Sequence, residues 1–134
     1  TESRERTHLM KVTGRVVKGL GESGKFLAID WVERQLNEKL GFSPFPGTLN
    51  IVLDDGRVQK MLKEKHTDRL VHQSEGFCDT VLFKATLGGR YDCGIIIPLV
   101  KGYDERQIEI VAPVNLKEAL NIVDGDAISL DLCL

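Results

Sequence analysis

"DTVLFKATLGGRYDCGIIIPL", residues 79 to 99, is the stretch of the sequence that decides the fold. It contains two runs rich in β-branched and aromatic residues, and Gly88-Gly89 stands between them. A glycine pair between two such runs is a strong hairpin signal, because glycine readily adopts the positive backbone angles that tight turns require. The stretch therefore predicts two antiparallel strands joined at residues 88 and 89.

Further segments on both sides of this hairpin also have the composition of short strands. They are residues 11–20 (KVTGRVVKGL), 48–54 (TLNIVLD), 107–113 (QIEIVAP) and 127–134 (AISLDLCL). Many short strands with a few short helices and no regular βαβ repeat predict a mainly β protein that folds as a compact barrel. We expect residues 1–10 to form an N-terminal tail and residues 11–134 to form a single domain.

Two helices are predicted from their end signals. In the first, Asp30 and Glu33 have the spacing of a capping box, and Gly41 stands where a helix C-terminal glycine belongs. In the second, Asn115 is the expected N-cap and Glu118 lies three residues after it. Both helices are short, which agrees with a barrel that carries helical insertions.

The composition limits the classes of function. The chain has 18 Lys and Arg against 20 Asp and Glu, and the basic residues are dispersed, which argues against nucleic-acid binding. Cys78, Cys93 and Cys133 are far apart and form no CxxC pair, so neither a disulfide framework nor a zinc site is predicted. No apolar run reaches the roughly 20 residues of a membrane span, and no signal peptide is visible. We expect a soluble, cytoplasmic protein without membrane contact.

The first candidate site is the glycine-bearing stretch "GLGESGKF", residues 19 to 26. Closely spaced glycines after a strand allow backbone N–H groups to turn towards an anion such as phosphate. The stretch is not a P-loop, since GxxxxGK[ST] is absent. It is equally compatible with a plain turn.

The second candidate is the pair Thr48 and Asn50, which share one face of the predicted strand. Hydroxyl and amide oxygens are hard ligands that suit Mg²⁺ beside a polyphosphate. Alternatively, both side chains satisfy the backbone of the preceding turn. Glu109, on another predicted strand, is a carboxylate that could accept a proton or hydrogen bonds from a hydroxyl, or simply face solvent.

Taken in order, "GRVVKGLGES", "LGFSPFPGTLN", "GIIIP" and "IEIVAPVNLKEALNIVDGDAI" resemble the archaeal CTP-dependent riboflavin kinases. The resemblance runs from about Val12 to the C-terminus. It implies a six-stranded cradle-loop (RIFT-like) barrel that phosphorylates the ribityl 5′-hydroxyl of riboflavin. It further implies CTP as the phosphate donor, FMN and CDP as products, and Mg²⁺ as the cofactor.

The resemblance also implies a role for each candidate segment. The nucleotide and its phosphates would contact Leu20, Gly21, Glu22, Ser23, Gly24 and Lys25, and the base would contact Val114, Asn115, Leu116 and Lys117. Thr48 and Asn50 would bind Mg²⁺. Glu109 would contact the flavin and orient or deprotonate its hydroxyl, and Lys101 would lie beside the flavin substrate.

Two positions depart from the family pattern. Ser23 stands where a third glycine is usual in the first loop, and Lys101 replaces a threonine that contacts flavin. The Lys101 difference supports an alternative function, a non-catalytic flavin- or nucleotide-binding regulatory module with the same fold. Members of the family can also follow a winged-helix domain, which this chain is too short to contain.

Overall fold

The computed structural model describes residues 9–19, 21 and 23–133, and it contains short strands joined by turns and helices. The strands are β1 (Leu9–Val17), β2 (Leu49–Leu53), β3 (Arg69–Leu70), β4 (Thr80–Leu87), β5 (Tyr91–Pro98), β6 (Gln107–Val111) and β7 (Ala127–Cys133). The helices are α1 (Ser23–Leu27), α2 (Asp30–Leu40), α3 (Val58–Lys65) and α4 (Leu116–Leu120). No helix among these residues is long and apolar enough to cross a membrane.

Six strands close into an antiparallel barrel in the order β4-β5-β6-β2-β1-β7. Pairing of β7 with β4 at residues 85–87 completes the ring, and β3 is added beside β4 at Thr80 and Val81. The predicted six-stranded barrel with short helices is therefore confirmed. β1 begins at Leu9, so the boundary predicted after residue 10 lies inside this strand.

The predicted hairpin forms as expected from its glycines. β4 and β5 pair from Thr80 with Pro98 to Leu87 with Tyr91. Gly88 and Gly89 connect the strands with φ angles of 63° and 65°. A side chain at either position would be strained, because L-residues rarely adopt this left-handed region.

The core has two parts, and strand alternation divides them. Ile95 and Ile97 of β5 point into the barrel, whereas Ile96 points outwards and packs beneath α2. Val32 and Leu36 of α2 are fully buried against this outer cluster. The apolar run of β5 is thus buried on both faces, because it separates the barrel interior from the helix.

Two of the three predicted helix ends are confirmed, and the third is not. Gly41 ends α2 with a φ of 83°, and the Asn115 side chain caps α4 by accepting a hydrogen bond from the Glu118 N–H. The predicted Asp30 cap is wrong. Asp30 is already the first helical residue, and Ile29 occupies the N-cap position without a side-chain hydrogen bond.

A second difference concerns the glycine-bearing stretch after β1. The prediction extended the strand to residue 20, but β1 ends at Val17. Ser23, Gly24 and Lys25 do not form an open loop, because they lie in α1. Phe26 and Leu27 explain this turn of helix, since Leu27 is buried in the outer cluster and Phe26 packs against it.

A buried glutamine attaches α3 to the connection between β5 and β6. Gln59 is 1% exposed, and its Nε2 donates to the carbonyl oxygens of Asp104 at 2.7 Å and Gln107 at 2.6 Å. Both amide hydrogens are therefore used. This contact fixes the C-terminal part of the β5–β6 connection, whereas Lys101 and Gly102 near its start are exposed.

Replacement of Gln59 by leucine should lower the free energy of unfolding by about 1–3 kcal/mol, since two partly buried carbonyl groups lose a donor. Urea titration followed by circular dichroism measures this change. Gln73→Leu is the control, because Gln73 is exposed and its side chain accepts a hydrogen bond from Arg34 at the surface. It should change stability by less than about 0.5 kcal/mol. Equal effects of the two substitutions would contradict the anchoring role of Gln59.

Candidate active site

A cavity of about 360 Å³ lies where three segments of the chain meet at one side of the barrel. The first segment follows β1 and enters α1, the second leads into β2, and the third leaves β6 and enters α4. The described lining residues are Lys18, Gly19, Gly21, Ser23, Gly24, Phe45, Pro46, Gly47, Thr48, Leu49, Asn50, Ile110, Ala112, Val114, Asn115, Leu116 and Lys117.

Helix α1 is fixed directly to the entry of β2. The Ser23 hydroxyl accepts a hydrogen bond from the Thr48 N–H at 3.1 Å. One residue later, a side chain at Gly24 would approach the Pro46 carbonyl oxygen to 3.0 Å. Ser23 thus supplies a side-chain hydrogen bond that a glycine could not form. Gly24, which has no side chain, allows the backbone of α1 to lie close to Pro46. Together they hold two walls of the cavity against each other.

Next to the cavity, the Glu109 carboxylate lies between two hydroxyl groups. Thr48 Oγ1 donates to Oε1 at 2.9 Å, and the Tyr103 hydroxyl donates to Oε2 at 2.8 Å. Burial and the nearby negative charge of Glu109 raise the pKa of Tyr103 above its ordinary value. Tyr103 therefore stays protonated near neutral pH and acts as a donor to this carboxylate.

Asn50 lies directly opposite Glu109 in the pairing of β2 with β6. Its side chain is 9% exposed, and its Oδ1 accepts from Gln107 Nε2 at 2.9 Å. A β-carbon at Gly19 would come within 2.2 Å of Asn50 Nδ2. The absence of a side chain at Gly19 is therefore what leaves room for the Asn50 amide.

The charged side chains among the described residues of the cavity lining are basic. Among its described lining residues, the charged side chains are Lys18 and Lys117, and there is no carboxylate. Lys117 also pairs with Asp124 at 2.9 Å. Backbone amides of the glycine-bearing segment and two ammonium groups suit an anionic ligand such as a phosphate ester.

A family model for the CTP-dependent riboflavin kinase domain, described as a domain of unknown function (DUF120), matches residues 16–132. This range includes every described residue that lines the cavity. The chain belongs to the CTP-dependent riboflavin kinase family.

Curated relatives agree with this assignment. The riboflavin kinase of Methanothermobacter thermautotrophicus is 39% identical over 114 residues, which cover 85% of this chain and 92% of the relative. That of Methanobrevibacter smithii is 31% identical, with 91% of this chain and 99% of the relative covered. The riboflavin kinase of Pyrobaculum aerophilum is 34% identical over 93% of this chain, but the match spans only 61% of that longer relative.

In this member of the CTP-dependent riboflavin kinase family, most of the predicted site residues lie together. The cavity is lined by Gly21, Ser23, Gly24, Thr48, Asn50, Val114, Asn115, Leu116 and Lys117. Glu109 lies beside it through its contact with Thr48. Leu20 and Glu22 lie outside the described residues.

Besides Glu109, two described residues of the predicted site do not line the cavity. Lys25 is exposed on α1, and Lys101 is exposed in the turn after β5. Lys101 is nevertheless only two residues from Tyr103, whose hydroxyl contacts Glu109. The turn therefore reaches the carboxylate through Tyr103.

Sequence reasoning missed several members of the site. Tyr103 contacts Glu109, and Gln107 contacts Asn50. The cavity lining also includes Lys18, Phe45, Pro46, Gly47 and Ala112. Gln107 lies two residues before Glu109 and thus on the same strand face, which is a signal that the sequence contains. No comparable signal exists for Tyr103, because its contact depends on the path of the β5–β6 connection.

The oxygen atoms beside the cavity could serve as ligands of a hard cation that is also bound by a phosphate group. Thr48 Oγ1 and Asn50 Oδ1 are neutral oxygen donors, and the Glu109 carboxylate is 2.9 Å from the former. The described residues contain no group of three or more His, Cys, Asp or Glu side chains that could hold a metal ion. The chemistry suits Mg²⁺ that retains water and phosphate ligands.

Gly19→Ala should displace the Asn50 amide and lower the free energy of unfolding by about 1–3 kcal/mol, because a methyl group does not fit beside Nδ2. The side-chain amide signals of Asn50 and Gln107 in ¹H–¹⁵N NMR spectra report the displacement. Gly56→Ala is the control, since there the nearest atom is Arg106 Nη1 at 3.0 Å, at the end of a long, exposed side chain. Unchanged Asn50 signals in Gly19→Ala would refute the packing argument.

Proposed function

We propose that the protein is a CTP-dependent riboflavin kinase that makes FMN and CDP from riboflavin and CTP. The observation that carries the proposal is the Glu109 carboxylate, held by Thr48 and Tyr103 beside a cavity with positive charge. A kinase needs such a pairing of a proton acceptor with a site for phosphate groups. The relatives are riboflavin kinases and the matching family is that of the CTP-dependent enzymes, which supports riboflavin as the acceptor and CTP as the donor.

The cavity is the proposed nucleotide site. Phosphates would lie near Gly21, Ser23 and Gly24, where backbone N–H groups and Lys18 favour negative charge. The base would lie near residues 114–117 at the entry to α4. A pocket of this kind can select cytosine through hydrogen bonds from backbone groups, because a mismatched base leaves polar groups without partners.

Mg²⁺ is the proposed cofactor, with Thr48 and Asn50 as its protein ligands. When bound, this ion neutralises charge on the donor phosphates and orients them for in-line transfer. Gly19 and Gln107 have a supporting task here, because they fix where the Asn50 amide lies. Ser23 does the same for Thr48 through its hydrogen bond to the Thr48 N–H.

Glu109 is the proposed catalytic residue. It would accept the proton of the riboflavin 5′-hydroxyl while the new bond from that oxygen to the terminal phosphorus of CTP forms. The bond between this phosphorus and the bridging oxygen breaks, and CDP leaves with the electron pair. Lys101 is exposed and could meet the flavin phosphate as a point charge, a different contact from that of a threonine hydroxyl.

The proposal is tested by incubating the protein with riboflavin, Mg²⁺ and either CTP or ATP, followed by chromatographic separation of riboflavin from FMN. We expect FMN with CTP and little with ATP. Absence of FMN with every nucleotide, from folded protein that still binds flavin or CDP, would refute the kinase proposal and favour the regulatory binding module. Lys101→Thr would then show whether the changed contact is responsible.

Variants of the site test the assigned roles. Glu109→Gln should lower kcat by about 10²–10⁴-fold, because it removes the proton acceptor but keeps the shape. Thr48→Ala and Asn50→Ala should raise the Mg²⁺ concentration needed for half-maximal rate. Thr67→Ala, at an exposed threonine away from the cavity, is the control and should leave both quantities unchanged. An equal Mg²⁺ requirement in all three alanine variants would exclude Thr48 and Asn50 as metal ligands.

A further inference from the structure

We propose that Tyr103 is a positioning residue that fixes the orientation of the Glu109 carboxylate for reaction, a role that rests on the proposed kinase activity. Tyr103 lies in the connection between β5 and β6, six residues before Glu109. Its hydroxyl is the donor to the carboxylate oxygen that Thr48 does not bind. It lies outside the glycine-bearing stretch, residues 19–26, and outside the segment with Thr48 and Asn50 that is proposed to bind Mg²⁺.

The two hydrogen bonds restrict the carboxylate more than either could alone. Thr48 approaches Oε1 from the entry of β2, and Tyr103 approaches Oε2 from the β5–β6 connection. Rotation of the carboxylate about its terminal bond would break both contacts. A carboxylate has about four acceptor positions, so two remain available for the hydroxyl of a substrate.

Tyr103 is itself held in place. Its ring packs against the barrel core, and its N–H donates to the Val100 carbonyl at 3.2 Å. The same connection is attached to α3 by Gln59, which donates to the Asp104 and Gln107 carbonyl oxygens. The hydroxyl is therefore presented from an anchored segment, and it can orient a carboxylate without a large entropic cost.

The electrostatics make Tyr103 a donor and exclude it as the base. Burial and the negative charge of Glu109 both raise the pKa of Tyr103, while a hydrogen bond from Gln107 acts in the opposite direction. The phenol is thus protonated at every pH where the protein would work. Glu109 is left as the proton acceptor, and Tyr103 determines which way it points.

The chain offers a close control for this residue. Tyr91 is its other tyrosine, and like Tyr103 it is half-buried and packs against the barrel core. It lies at the β4–β5 turn, where the Arg90 guanidinium carbon is 5.5 Å from the centre of its ring. Tyr91→Phe and Tyr103→Phe therefore each remove one phenol hydroxyl from a half-buried ring, but Tyr91 is not among the described residues that line the cavity.

Tyr103→Phe should lower kcat by about 10–100-fold and leave the KM for CTP within about twofold, because the lost contact acts on the proton acceptor. Tyr91→Phe should change neither quantity. Thermal unfolding establishes that both variants are folded. A folded Tyr103→Phe enzyme with the kcat of the unmodified protein would overturn the proposal.

A double-mutant cycle separates positioning from a merely structural role. If Tyr103 acts through Glu109, Tyr103→Phe should cost less than about twofold in kcat when Glu109→Gln is already present. If the two losses multiply, Tyr103 acts independently of Glu109 and the proposal is wrong.

A spectroscopic test does not depend on catalysis. In the Tyr91→Phe background Tyr103 is the sole tyrosine, and its ionisation is followed by ultraviolet absorbance of the tyrosinate. Adding Glu109→Gln should make the tyrosinate appear at lower pH, since the neighbouring charge is removed. An unchanged titration, with circular dichroism showing that the protein is still folded at that pH, would refute the contact even in an active kinase. Absence of FMN from the unmodified protein would instead refute the kinase proposal and, with it, this role of Tyr103.

Discussion

The pairing of β2 with β6 sets Ile51 against Ile108 and Asn50 against Glu109, and the remaining structure depends on this register. Because side chains alternate along a strand, the isoleucines fill the barrel while the polar pair lies on its outer surface. A slip of one residue would place the amide and the carboxylate in the core and expose the isoleucines. Burial of the isoleucines thus also determines where the amide and the carboxylate lie.

Around this polar pair, each supporting contact comes from a different part of the chain. Gly19 leaves space for the Asn50 amide, and Ser23 binds the Thr48 backbone. Tyr103 completes the surroundings of Glu109. A site built this way tolerates little change in any one support, because a carboxylate or amide displaced by even 1 Å loses its hydrogen-bond geometry.

Much of this arrangement could be predicted from the sequence, and the physical reasons for success and failure differ. Gly88-Gly89 and Gly41 were informative because their positive φ angles are a local requirement. Thr48 and Asn50 stood out because polar groups at the start of an apolar strand need partners. Contacts that depend on the path of a connecting segment left no such trace, and the donation from Tyr103 to Glu109 is one of them.

The two wrong predictions, the Asp30 cap and the open loop before it, have different causes. Asp30 has the spacing of a capping residue, but Ile29 takes the N-cap position because the helix begins one residue earlier than the box requires. The stretch before it has the glycines of a loop, yet burial of Leu27 stabilises a short helix there. In the second case tertiary packing overrode a local signal.

The position of β7 in the ring has a consequence for how the chain folds. β7 pairs with β1 on one side and with β4 on the other, although it is the last strand of the described chain. Until it has been synthesised, the facing edges of β1 and β4 lack this partner and can pair with other chains. Ring closure is therefore a late event that joins the most distant parts of the sequence, and such topologies fold slowly.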